Sequence, residues 1–169
     1  PRLPGEGFDI MRFDVDTAVT DNVDLYEQLP SNADIWTRRS TGDATNERSF
    51  VMSWAHQPGV FLINGKQYSE NRVDEVVEKG ATEIWEITNT SPVPHPFHAH
   101  AIQWQVLDRN GAEPTGAERG WKDTVLVNPG DSVRIIGRFE PVNYGKYVYH
   151  CHILEHEDAG MMGLFEVTQ

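Results

Sequence analysis

Between residues 33 and 169 the chain is broken into short β-forming runs too closely spaced for long helices. Segments rich in β-branched and aromatic residues recur at 49–54, 60–63, 82–88, 102–107, 124–127, 132–139, 146–149 and 163–168. Between them stand Gln57-Pro58-Gly59, Asn64-Gly65, Lys79-Gly80, Asn110-Gly111, Asn128-Pro129-Gly130 and Asn143-Tyr144-Gly145. Such pairs reverse the chain cheaply, because Gly and Asn tolerate positive φ and Pro fixes its own. The pattern predicts an all-β fold, an antiparallel β-sandwich with Greek-key connections.

Upstream, residues 8–15 alternate broadly, with Phe13 and Val15 on one face, and read as a strand without a nearby hairpin partner. Residues 16–32 are polar and acidic, contain Leu29-Pro30 and lack periodicity, as a linker does. The expected organisation is therefore the end of a preceding domain plus a linker over 1–32, and one main domain over 33–169. A net charge of -12 would repel a nucleic-acid backbone or an anionic membrane, so neither is expected as a partner. No apolar run approaches the length of a membrane span. The chain opens on Pro1 without a basic-then-apolar leader, which leaves its compartment unread.

The lone cysteine, Cys151, allows no disulfide within the chain, and histidines flank it on both sides. Of 7 histidines, all but His56 fall in two clusters, 95–100 and 150–156. His56 lies beside a turn and reads as a solvated side chain. A blue-copper site takes two imidazoles and a thiolate in a plane, with a weak axial thioether, and His95, Cys151, His156 and Met161 supply that set. Met162 competes for the axial role, but spacing from His156 favours Met161 and leaves Met162 to core packing. One metal would not occupy the other four histidines. Strand alternation lets His98 and His100 converge, and lets His150 and His152 straddle Cys151 while facing away from it. A second metal cluster, joined to the first through the backbone at Cys151, is the expected result. Glu155 and Asp158 read as a solvated acidic face; Glu157 fits that face or a proton carrier beside the cluster.

These two clusters resemble the C-terminal copper signatures of multicopper oxidases. The run from His150 through Asp158, with Gly120-Trp121-Lys122-Asp123-Thr124 upstream, is most similar to the branch of bacterial spore-coat laccases and bilirubin oxidases, and Ile10 to Val15 resembles the closing strand of that branch's middle domain. The resemblance implies a cupredoxin-like Greek-key sandwich binding copper of three types. It makes His95, Cys151, His156 and Met161 the type 1 ligands, His98 a type 2 ligand and His100, His150 and His152 type 3 ligands, with Glu157 supplying protons. It implies a small reducing substrate, such as a phenol, a pigment or a metal ion, oxidised one electron at a time, and dioxygen reduced to water. A periplasmic, extracellular or spore-coat location is implied in the same way. Two departures stand out: Ala99 replaces a common Leu, and Ala101-Ile102 replaces a common Gly-His. The family's N-terminal His-Trp-His and second His-x-His motifs are absent, so the expected partner is the N-terminal cupredoxin part of the same oxidase, as a cleaved or separate chain. With 4 Met in all, the chain lacks the Met-rich insertion of cuprous oxidases. The competing reading is a stand-alone blue-copper electron carrier, which has no use for His98, His100, His150 and His152.

Overall fold

The computed structural model describes residues 37–55 and 59–169. The expected strand at 8–15, the linker at 16–32 and His56 lie outside the described residues. Among the described residues, ten strands form two five-stranded sheets. The first takes the order β2-β1-β4-β8-β6, from β1 (Asn46–Trp54), β2 (Phe61–Ile63), β4 (Thr82–Asn89), β6 (Trp104–Arg109) and β8 (Ser132–Arg138). The second runs β3-β10-β9-β5-β7, from β3 (Glu75–Glu78), β5 (His95–Ala99), β7 (Thr124–Val127), β9 (Gly145–Cys151) and β10 (Met162–Thr168). A short α-helix, α1 (Leu154–Asp158), bridges β9 and β10.

Side-chain alternation explains how the sheets meet. In β1, Phe50 and Met52 are fully buried while Val51 between them is exposed, and in β8 Val133 and Ile135 point inward together. The core between the layers is strongly aromatic. Trp85 on β4 packs on Trp104 with ring centroids 4.9 Å apart and meets Phe165 of the opposite sheet edge-on at 5.7 Å. Phe50 meets Tyr149 in the same way at 5.0 Å. Edge-to-face contacts of this kind add to the burial of the rings themselves. A charged clamp also crosses between the sheets. From β1, the Arg48 guanidinium donates to Glu83 on β4 at 2.7 Å and to Glu75 on β3 at 2.6 Å. Glu83, almost wholly buried, also accepts from the Trp85 indole at 2.8 Å, so its charge is paired and hydrogen-bonded.

Asn64-Gly65 and Asn110-Gly111 form tight turns with both residues at positive φ, 53° and 72° in the first and 54° and 77° in the second. The sandwich is not wholly antiparallel as expected: β1 pairs with β4, and β3 with β10, in parallel. Both pairs join strands whose connection passes through other strands, the long crossover that parallel pairing needs. Two strands carry no clear sequence mark. β3 buries only Val77 between glutamates, and β5 is built of His95-Pro96-Phe97-His98-Ala99, residues chosen for chemistry over strand propensity. No helix among the described residues is long and apolar enough to cross a membrane.

Candidate metal centre

β5 and β9 lie side by side, and their register pairs Phe97 with Cys151 and His98 with His150. On one side, His95 from the start of β5, Cys151 from the end of β9 and His156 from α1 converge. Cys151 Sγ lies 3.5 Å from His95 Nδ1 and 3.6 Å from His156 Nδ1, and the two nitrogens are 3.1 Å apart. A triangle with these sides has its corners about 2.0 Å from a common centre, close to the ~2.0–2.3 Å bonds that imidazole nitrogen and thiolate sulfur make to a first-row metal ion. The donor set therefore fits a trigonally held copper.

Backbone hydrogen bonds hold the loop that delivers these donors. The Cys151 N–H donates to the Met161 carbonyl at 3.0 Å, and the Met161 N–H donates to the His156 carbonyl at 2.9 Å. Met161 is fully buried beside them, whereas Met162 is half-buried at the start of β10, which corrects the expectation that Met162 packs in the core. Ser91 sets the tautomer of His95. With Nδ1 facing the other two donors, Nε2 carries the ring proton and gives it to Ser91 Oγ at 2.7 Å, while the hydroxyl donates to the Val93 carbonyl. Burial, aided by His156 nearby, pushes the His95 pKa down to about 4, and burial raises the Cys151 thiol to about 11. The imidazole is thus a free base at neutral pH, and the thiol waits for a metal to displace its proton.

The second set lies across the strand. His98, His100 and His150 bring their nitrogens within 4.8 Å of one another. His98 Nδ1–H donates to the Asp123 carbonyl at 2.8 Å and His150 Nδ1–H to the Cys151 carbonyl at 3.0 Å, which leaves both Nε2 atoms as bases. His150 Nε2 lies 3.3 Å from His100 Nε2. Burial is the main cause of lowered pKa values at His100 and His150, and the charge of Glu157 opposes it at both. His152 is exposed, with its ring 5.5 Å from those of both His98 and His150. Beside the cluster opens a cavity of about 550 Å³ lined by Arg39, His98, His100, Trp121, Asp123 and Arg138, among others. Glu155 and Asp158 are exposed, as expected, and Glu157 is half-buried.

Six of the eight expected ligand residues converge in these two sets, while His152 lies beside the second and Met161 is buried in the loop that carries the first. Sequence reasoning missed Ser91, the Asp123 carbonyl and Phe61, whose ring stacks on His156. No residue-type signal marks them, since each acts through position alone. Ala101 takes φ 63°, a left-handed conformation that costs a residue with a Cβ, and Ile102 is buried against Gly137.

A buried thiol and two imidazoles at one end of a β-sandwich, beside a second group of imidazoles, form donor sets suited to copper. The chain belongs to the multicopper oxidase family, whose pattern matches residues 29–169. It is 44% identical over 111 residues to the multicopper oxidase mco of Staphylococcus aureus, covering 63% of this chain and 24% of that protein. It is 38% identical over 127 residues to a laccase of Bacillus subtilis, covering 64% of this chain and 24% of that protein. Among solved structures, a laccase from Pediococcus acidilactici superposes with a TM-score of 0.70 at 38% identity, over 79% of this chain and 28% of that one. A Campylobacter jejuni multicopper oxidase described as a metallo-oxidase superposes equally well, at 0.70 and 31% identity, over 79% of this chain and 32% of that one. The chain spans about a quarter of the length of the curated relatives it matches, 24% in both cases above.

Proposed function

We propose that this chain forms the C-terminal part of a laccase-like multicopper oxidase, coupling one-electron oxidation of a reducing substrate to four-electron reduction of dioxygen to water. The observation that carries the reading is that Cys151 belongs to one donor group while its chain neighbour His150 belongs to the other, with His152 on its far side bringing its ring to 5.5 Å from those of His98 and His150. Copper, when bound, supplies the one-electron redox chemistry, at a type 1 site of His95, Cys151, His156 and Met161 and at type 2 and type 3 sites that include His98, His100, His150 and His152. In this reading the C-terminal cupredoxin domain is residues 33–169, and residues 1–32 are the end of a preceding cupredoxin domain plus a linker. Histidines of an N-terminal cupredoxin part of the oxidase complete the second group across the open cavity.

The protein's own residues do the rest. Full burial of His95, Cys151 and Met161 excludes water from the thiolate and fixes the donors in place, so little rearranges when charge changes. Two covalent paths lead from the Cys151 sulfur through backbone to the flanking imidazoles. Reducing one dioxygen to water takes four protons as well as four electrons, and in this reading Glu157, whose charge is felt at His100 and His150, carries protons to the second group. A stand-alone electron carrier would leave four converging imidazoles without a task.

The test is a complete oxidase containing this chain with His100→Ala and His150→Ala together. Donor oxidation coupled to dioxygen uptake should stop while the intense visible absorption of the Cys151 site persists. Dioxygen uptake at the unaltered rate would overturn the reading.

A further inference from the structure

At the β1–β2 edge, three rings form a row that ends on a metal ligand. Phe61, the first residue of β2, stacks on the His156 imidazole with ring centroids 3.8 Å apart and planes 24° from parallel. Trp54, the last residue of β1, pairs with Phe61 in the antiparallel register and stacks on it in turn, at 5.7 Å and 27°. Exposure rises along the row. Cys151 and His95 are fully buried, His156 and Phe61 are half-buried, and Trp54 is 42% exposed.

Trp85 and Trp104 sit wholly inside the sandwich, which makes the exposure of Trp54 a different arrangement. Its indole has one face on Phe61 and a large apolar area left in water. Nearly parallel rings pack favourably in offset stacks, and an indole gives the largest such surface of any side chain. We infer that Trp54 is the docking platform for the electron donor, a planar, electron-rich arene of the phenol class that stacks on the indole and extends the row leading to His156. A neutral arene meets no penalty from the chain's net charge of -12, whereas an anionic donor is held off by it. Phe61 is the positioning residue, because it holds the indole parallel to the imidazole at the end of the row. This assignment rests on the oxidase reading above and adds a donor-docking residue to the same site.

The experiment uses the complete oxidase and compares Trp54→Ala and Trp54→Phe with the unaltered protein. Three probes are used: 2,6-dimethoxyphenol as an aromatic donor, ferrocyanide as a donor without a ring, and 4-nitroanisole as a planar arene too electron-poor to be oxidised. Binding of 4-nitroanisole is followed by ligand-observed NMR on copper-free protein. Trp54→Ala should raise KM for the phenol about three- to tenfold with kcat within about twofold, and weaken 4-nitroanisole binding by a like factor. Ferrocyanide oxidation should be unchanged, and Trp54→Phe should recover most of the lost affinity. An unchanged phenol KM and 4-nitroanisole affinity in Trp54→Ala would overturn the assignment. So would an equal loss for phenol and ferrocyanide, since that marks a general disturbance of the site. Failure of the unaltered oxidase to couple oxidation of both 2,6-dimethoxyphenol and ferrocyanide to dioxygen uptake would count against the oxidase reading instead, and the 4-nitroanisole titration would then decide the docking role alone.

Discussion

Replacing Ser91 by Ala removes one oxygen atom, leaves every proposed copper ligand in place, and should still weaken copper binding by one to two orders of magnitude. Ser91 and His95 are both buried, and Ser91 Oγ is the acceptor for the His95 Nε2–H at 2.7 Å. The Val93 carbonyl does not depend on the hydroxyl, because Asn89 Nδ2 also donates to it at 2.7 Å. The loss therefore falls on the imidazole. A buried donor left unpaired costs about 1–3 kcal/mol, and the ring can avoid that cost by moving its proton to Nδ1. There it can donate to Cys151 Sγ or His156 Nδ1, 3.5 and 3.1 Å away, but it is then no longer a metal-binding base. Loss of such an orienting partner typically lowers metal affinity about 10- to 100-fold, or roughly 1.4–2.7 kcal/mol. Competition with a cuprous chelator at fixed pH reads the affinity directly, with near-ultraviolet circular dichroism to confirm the fold. Ser91→Thr retains the hydroxyl and should stay near the original value. An affinity for Ser91→Ala within twofold of the unaltered protein would refute the tautomer argument.

Copper binding at the Cys151 site should release one proton over neutral pH. With the thiol raised to about 11 and His95 lowered to about 4, the thiol is protonated and the imidazole neutral, so affinity rises about tenfold per pH unit between roughly 7 and 9. Calorimetry in buffers of different ionisation enthalpy counts the protons, and a count near zero would contradict a buried, protonated thiol. Ala101→Gly should stabilise the fold by up to about 1 kcal/mol, because relief of the left-handed strain exceeds the added chain entropy. Chemical denaturation reads the difference, and a less stable variant would show that Ala101 is not strained. Glu157→Gln, in a complete oxidase, should slow dioxygen reduction more than electron uptake from the donor, which stopped-flow measurement of the two half-reactions separates.

How much of this was legible in the sequence depended on whether a residue's type or its neighbours carried the information. The turn pairs at 64–65 and 110–111 announced themselves, since few other dipeptides accept two successive positive φ values. The donors were legible because soft thiolate, imidazole and thioether at short separations have few other uses. Pairing direction was not legible: β1 and β4 look alike whether parallel or antiparallel, and only the tertiary crossover decides. β5 was hidden because His95, Pro96 and His98 are poor strand formers, held there by β7 and β9 on either side. Ser91 and Trp54 were hidden for another reason. A serine near a proline and a tryptophan at a strand end are ordinary until the fold brings one to the His95 ring and stacks the other on Phe61.

The central claim is that this chain holds one complete copper site and half of a second, joined at Cys151. Copper titration of the purified 169-residue chain, with absorption and dioxygen consumption followed together, tests it most directly. The chain should take up one tightly bound copper with intense visible absorption, lose that absorption in Cys151→Ser, and consume no dioxygen with a phenolic donor until the N-terminal part of the oxidase is added. Retained absorption in Cys151→Ser, or sustained dioxygen reduction by the homogeneous chain alone, would contradict it.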